Sequence, residues 1–217
     1  MRHNRFQKNL KAGIRGHSKR YIALGSVFAL GIAGGTFAIK GLSASQFTEL
    51  NNYINGFLQL AQNESFNNTE LFAISLKENV KFIFLLWLSG ITVIGIPFIY
   101  LLVSARGFVI GFSSGLFIKC LGVKGSLFAI ASIFPSEFIT VPCFIILAAN
   151  GLFFSFNIIR SRSFKDTLHR NIKTELVRYS LLTVLLGFIV AAGCFIDSYV
   201  SPVFVRTILP ALPGFSG

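Results

Sequence analysis

Residues 21–39 read YIALGSVFALGIAGGTFAI, nineteen residues without a charge. Arg15, Lys19 and Arg20 stand before the run and Lys40 closes it. As a helix it would extend about 28 Å, close to the ~30 Å hydrocarbon core of a bilayer. It is longer than the apolar region of a secretory signal. Lys40 also separates it from Ser43-Ala44-Ser45, the small residues that could serve as a cleavage site. An uncleaved membrane anchor is therefore expected. Gly31 and Gly35 within it are spaced for close approach of another helix.

The rest of the chain has the same character. Of its 217 residues, 53% are apolar and 13% charged, and the mean hydropathy is +0.68. Soluble domains carry about a quarter charged residues, so this chain lacks the polar surface to stay in water. The net charge of +12 would suggest nucleic acid in a soluble protein. Its distribution argues otherwise. Residues 1–20 hold seven Lys or Arg and no acid, and residues 160–178 hold six against Asp166 and Glu175. Basic segments flanking apolar runs follow the positive-inside pattern. They place the N-terminus and the 160–178 loop in the cytoplasm and the C-terminus outside. The partner this charge fits is the lipid bilayer, anionic lipid included, and no nucleic acid.

Spans are expected over 21–39, 82–103, 107–123, 139–158 and 179–199. The fold class is all-α, a polytopic helical membrane protein with an outer helical hairpin over 41–81. In that hairpin Ser43 and Gln46 can form a capping box, and Asn67 with Glu70 a second cap. Phe47, Leu50, Ile54 and Phe57 recur at helical spacing. They form an apolar stripe that either rests on lipid or docks a partner.

Pro97 should kink the second span, and Ser104–Arg106 should be a basic cytoplasmic turn. Gly107, Gly111 and Gly115 lie four apart, a small-residue stripe that permits close helix packing or self-association. Residues 125–134 make about 15 Å of helix. That is too short to cross, so a re-entrant or interfacial piece is expected. Pro135 should break the chain, with Pro142 in the first turn of the next span. Glu137 has two readings. One is an interfacial carboxylate favoured by its own helix N-terminus, the other an intramembrane acid, functional by default. Asp197 should reach the outer interface.

Chemistry is hard to assemble. His3, His17 and His169 all fall in basic segments, and no paired carboxylates or Walker loop are present. Cys120, Cys143 and Cys194 lack disulfide or zinc spacing. An enzyme is not expected, and no cofactor or metal. Short and broken apolar segments would also suit a transporter or permease subunit.

In order along the chain stand the basic arm before the first span, Trp87-Leu88-Ser89-Gly90-Ile91-Thr92-Val93-Ile94-Gly95-Ile96-Pro97, Gly107-Phe108-Val109-Ile110-Gly111-Phe112, the pair Pro135 and Pro142, and Ser198-Tyr199-Val200-Ser201-Pro202. This layout resembles the stage II sporulation protein M family. Where that pattern has His-Gly after the first proline and Glu before the second, this chain has Ser136-Glu137 and Thr140-Val141. A role of that acidic version is therefore not carried over. The resemblance implies a non-enzymatic membrane subunit of forespore engulfment. It would anchor two peptidoglycan-degrading partners, sporulation proteins D and P, in the mother-cell or septal membrane.

Overall fold

The computed structural model describes residues 2–63, 67–92, 94–161 and 169–208. They form α1 (Arg2–Ala38), a 3-10 turn (Ile39–Gly41), α2 (Ala44–Asn63), α3 (Asn68–Ile91), α4 (Gly95–Ser161) and α5 (His169–Ile208). There is no strand among the described residues. Four segments are long and apolar enough to cross a membrane: Lys19–Gly41, Gly95–Gly122, Pro135–Ile158 and Lys173–Val200. The protein is an all-helical, polytopic membrane fold.

Helix α4 is two arms. Its single interior residue with non-helical dihedrals is Gly122, at φ 65° and ψ −145°. That region of backbone space is essentially closed to side-chain-bearing residues. The first arm (95–121) and the second (123–161) part there. The break expected at Pro135 does not occur, and 125–134 is not a separate re-entrant piece. The second arm runs as helix through both Pro135 and Pro142. Prolines are tolerated in membrane helices where neighbouring groups serve the freed backbone. In the turns around the two prolines Thr140 Oγ1 donates to the Ser136 carbonyl at 2.7 Å and Ser136 Oγ to the Ile133 carbonyl at 3.4 Å, although the carbonyls freed by Pro135 and Pro142 are those four residues before each.

The span expected over 82–103 is also corrected. α3 ends at Ile91, Thr92 is extended, and α4 starts at Gly95. The Thr92 N–H and hydroxyl both donate to the Ser89 carbonyl, at 3.2 and 3.1 Å. Gly95 N–H closes the turn on the Thr92 carbonyl. A Cβ at Gly95 would overlap the Ser89 carbonyl oxygen, so glycine is required. Pro97 falls in the first turn of α4, where its missing N–H costs nothing, and it kinks no span. Ser104–Arg106 is helix, not a turn, and the third span begins well before Gly107.

Contacts fix the order of the bundle. Gly31 and Gly35 lie against Ser104, Phe108 and Phe112, so α1 runs parallel to the first arm of α4. The Arg20 guanidinium sits over the Phe153 and Phe156 rings, and Phe28 and Phe144 line one small apolar void. The second arm therefore returns antiparallel to α1. On α3, Phe72 meets Phe195, Asn79 meets Cys194 and Trp87 Nε1 donates to Ser180 Oγ. α3 thus runs antiparallel to α5 at the same depth. Its 24 residues extend about 36 Å, a crossing length, although its charges exclude it from the apolar set. The core is Leu24, Leu86, Ile99, Leu147, Leu152 and Val190, each at most 1% exposed. Outward faces carry Leu30, Leu181 and Phe188, as suits a lipid-facing surface.

Candidate functional site: a buried ion-pair network

Arg106 lies near the middle of the crossing segment Gly95–Gly122. Its Nη2 donates to Glu137 Oε1 at 2.7 Å and to Asn79 Oδ1 at 3.3 Å. Asn79, 8% exposed, donates in turn to the Ser75 carbonyl at 2.9 Å and to Cys194 Sγ at 3.3 Å. Ser75 Oγ reaches Asp197 Oδ2 at 3.3 Å. The network joins α3, both arms of α4 and α5. The guanidinium is also flanked by the Phe82 and Phe144 rings, at 5.9 and 5.3 Å from their centroids.

The Arg106 and Glu137 side chains are 22% and 18% exposed, so the pair is largely desolvated. A lone charge at the middle of a membrane helix costs about 2.5–3.5 kcal/mol on insertion scales. Each charge here offsets the other's cost. Arg106 Nε and Glu137 Oε2 remain buried without a hydrogen-bond partner. One further donor and one acceptor are therefore open to a small polar species such as water.

Glu137 accordingly sits inside a helix, paired, rather than at a helix start capped by the N-terminus. Asp197 lies close to the Val200 end of its crossing segment. The residue that sequence reasoning missed is Arg106. A signal existed: Gly95 and Pro97 mark a helix start, which puts Arg106 three turns inside it.

The two glycine stripes meet each other. A Cβ on Gly31 or Gly35 would strike the carbonyl of Ser104 or Phe108. One on Gly107 or Gly111 would strike the carbonyl of Phe28 or Ile32. Gly115 faces Ile39 and Thr36 side chains, and Thr36 Oγ1 bonds the Gly111 carbonyl at 3.2 Å. The stripe is filled within one chain and is not available for self-association.

The outer stripe is also covered. The capping box forms: Ser43 N–H donates to Gln46 Oε1 at 3.1 Å, and Gln46 N–H to Ser43 Oγ at 3.4 Å. Asn67 occupies the cap position of α3, but its side chain makes no capping bond. On α2, Ile54 is buried with Ile39 and Leu116, and Phe47 and Leu50 pack on that cluster. Lys119 Nζ sits 4.4 Å from the Phe47 ring centroid and donates to the Ile39 carbonyl at 3.1 Å. Phe47, Leu50 and Ile54 are thus internal packing and not an open docking stripe. The Phe57 side chain lies outside the described residues.

Long helices packed on a backbone-close glycine seam, around an ion pair at crossing depth, define a polytopic helical membrane protein. Among the described residues no group of three or more His, Cys, Asp or Glu is placed to hold a metal. The chain belongs to the stage II sporulation protein M family, whose family model matches residues 24–202. The matched region contains all four apolar crossing segments except the first few residues of the first. No curated protein sequence and no solved structure matches. The chain is a sporulation-related membrane protein.

Proposed function

We propose that this protein is a non-enzymatic scaffold that anchors and localises cell-wall hydrolases, sporulation proteins D and P, while the mother-cell membrane engulfs the forespore. The observation that carries this is the family match across residues 24–202. The fold is compatible with it: the polar groups are spent on holding helices together, as in the Arg106–Glu137 pair. Deleting the gene and following fluorescent fusions of both hydrolases tests it. The expected result is loss of their septal localisation and arrest before engulfment. Normal localisation in the deletion strain would overturn it.

A transporter subunit is favoured by one observation, the largely desolvated ion pair between the two arms of α4. The Arg106→Leu/Glu137→Leu double variant separates the two functions. A scaffold that still folds keeps localising its hydrolases, whereas a transporter built on that pair loses activity.

A further inference from the structure

α3 has two unlike faces. Asn79, Ile83, Leu86, Ser89 and Gly90 are buried against the bundle. On the other side Glu70, Ile74, Lys77, Lys81, Phe84 and Leu88 are exposed. They recur at three-, four- and seven-residue steps, one continuous stripe about 27 Å long. Among the described residues nothing covers it.

Its depth makes this consequential. Asn79 is bonded to Cys194, inside the Lys173–Val200 crossing segment. Phe82 packs on Phe144, inside Pro135–Ile158, with ring centroids 4.7 Å apart. Lys77 and Glu78 lie within one helical turn above Asn79, and Lys81 lies between Asn79 and Phe82. Lys77 stands between Ser75, bonded to Asp197 near the Val200 end, and Asn79, bonded to Cys194, and a charge on an outward face there either snorkels to the interface or takes a partner.

The charge pattern selects that partner. Lys81 Nζ bonds Glu78 Oε1 at 2.9 Å, which occupies the one acid of this turn. Lys77 stands beside the same acid without a hydrogen bond to it, so the turn keeps a net positive charge on the midline of the stripe, with apolar Ile74 and Phe84 on either side. A second copy placed by a two-fold axis along the membrane normal would set Lys77 against Lys77 and Lys81 against Lys81, like against like. The complement is a single helix, apolar where it meets Ile74, Phe84 and Leu88, with a carboxylate at the depth of Lys77.

We propose that the open face of α3 receives the transmembrane helix of a membrane-anchored partner that carries a carboxylate opposite Lys77. The partner's identity as a hydrolase rests on the scaffold function above; the existence of the face does not.

Photo-crosslinking in sporulating cells tests this with the full chain. A photoreactive phenylalanine is placed at Ile74, Phe84 or Leu88, and as controls at Leu181 or Phe188, both more than 70% exposed on α5. Expected is an adduct with one membrane protein from the three α3 positions and not from the controls. Lys77→Glu should reduce that adduct at least tenfold and Lys77→Arg should preserve it. Changing the acid in the captured helix to Lys should restore the adduct in the Lys77→Glu background. If Lys77→Glu does not accumulate, Lys77→Gln gives the same comparison by removing the charge alone. Adducts with lipid only, with a second copy of this chain, or with a protein indifferent to the charge at 77 would each overturn the proposal. The scaffold function fails separately: an adduct with charge rescue, alongside normal hydrolase localisation in the deletion strain, keeps the face and discards the scaffold.

Discussion

Arg106 and Glu137 sit on the two arms of a single helix, and their 2.7 Å ion pair fastens the arms after the Gly122 break folds the second back. Removing one member leaves the other largely desolvated without its counter-charge. Breaking such a pair typically costs about 3–5 kcal/mol, whereas replacing both members with apolar groups can be nearly neutral. Arg106→Leu and Glu137→Leu should each lower the unfolding temperature in detergent strongly, and the double variant should recover much of the loss. Additive single effects in a double-mutant cycle would show that the pair is not coupled.

The glycine seam makes a contrast that a generic helix would not. Gly35→Ala or Gly111→Ala puts a Cβ onto backbone of the facing helix, and overpacking of this kind costs about 1–3 kcal/mol. Gly111→Leu should be worse. Gly25 and Gly187 have nothing within 4 Å of an added Cβ. Gly→Ala there should be neutral or stabilising by about 0.5–1 kcal/mol, because helix-interior glycine is entropically unfavourable. Thermal unfolding of the four alanine variants in one detergent gives the comparison.

Residues 21–39 and the Ser43/Gln46 cap were legible because both depend on neighbours in sequence. The helix-packing glycines were legible as a pattern, but not their partner, since a stripe does not say which backbone it will meet. For Arg106 only its place inside a helix was legible, from Gly95 and Pro97, and not its pairing. A charge between two apolar runs has the pattern of a loop, and the acid that lets it enter the bundle is a whole hairpin away at Glu137. Pro135 and Pro142 were misleading because helix-breaking rules from water assume that a lost hydrogen bond ends the helix. Phe47, Leu50 and Ile54 showed an apolar face; that the 3-10 turn after α1 and the end of the first arm of α4 cover it is a tertiary fact.

That cover gives the third prediction. Phe47→Ser with Ile54→Ser cuts into the cluster around Ile39 and Leu116. Truncating a buried large apolar residue costs about 2–5 kcal/mol. The double variant should therefore lose membrane-inserted protein, measured by immunoblot of membranes. Tyr53→Ser, on the same helix but 77% exposed, should leave the level unchanged within about 0.5 kcal/mol of stability. Normal amounts of the double variant would mean that α2 is not part of the folded core.

Gly122 separates strain from sterics. An added Cβ would meet nothing within 4 Å, so any cost of Gly122→Ala comes from its φ of 65° and ψ of −145°. Holding a side-chain-bearing residue there costs about 1–3 kcal/mol. Gly122→Ala should be destabilised by that amount, and Gly122→Asn no less, since the tolerance of asparagine for positive φ is confined to the left-handed helical region near ψ of about +45°, far from the ψ of −145° held here. Equal stability of Gly122→Ala and the parent would show that the two arms join by another route.

Whether α3 crosses the membrane decides how many passes the chain makes. Its packing against α5 from Phe72 to Trp87 supports a crossing; its Lys77, Glu78 and Lys81 are the features that oppose one. Tyr53 on α2 and Ile94 in the α3–α4 turn are both highly exposed, at 77% and 83%, so single cysteines there can be labelled without disturbing the core. In a background with Cys120, Cys143 and Cys194 replaced, a membrane-impermeant maleimide should label position 53 on intact protoplasts. Position 94 should label only after permeabilisation, together with position 165 in the basic loop. This is the five-pass arrangement, with the N-terminus and that loop in the cytoplasm. If positions 53 and 94 label from the same side, α3 lies along the surface, the chain makes four passes, and the charged face of α3 meets headgroups instead of a helix.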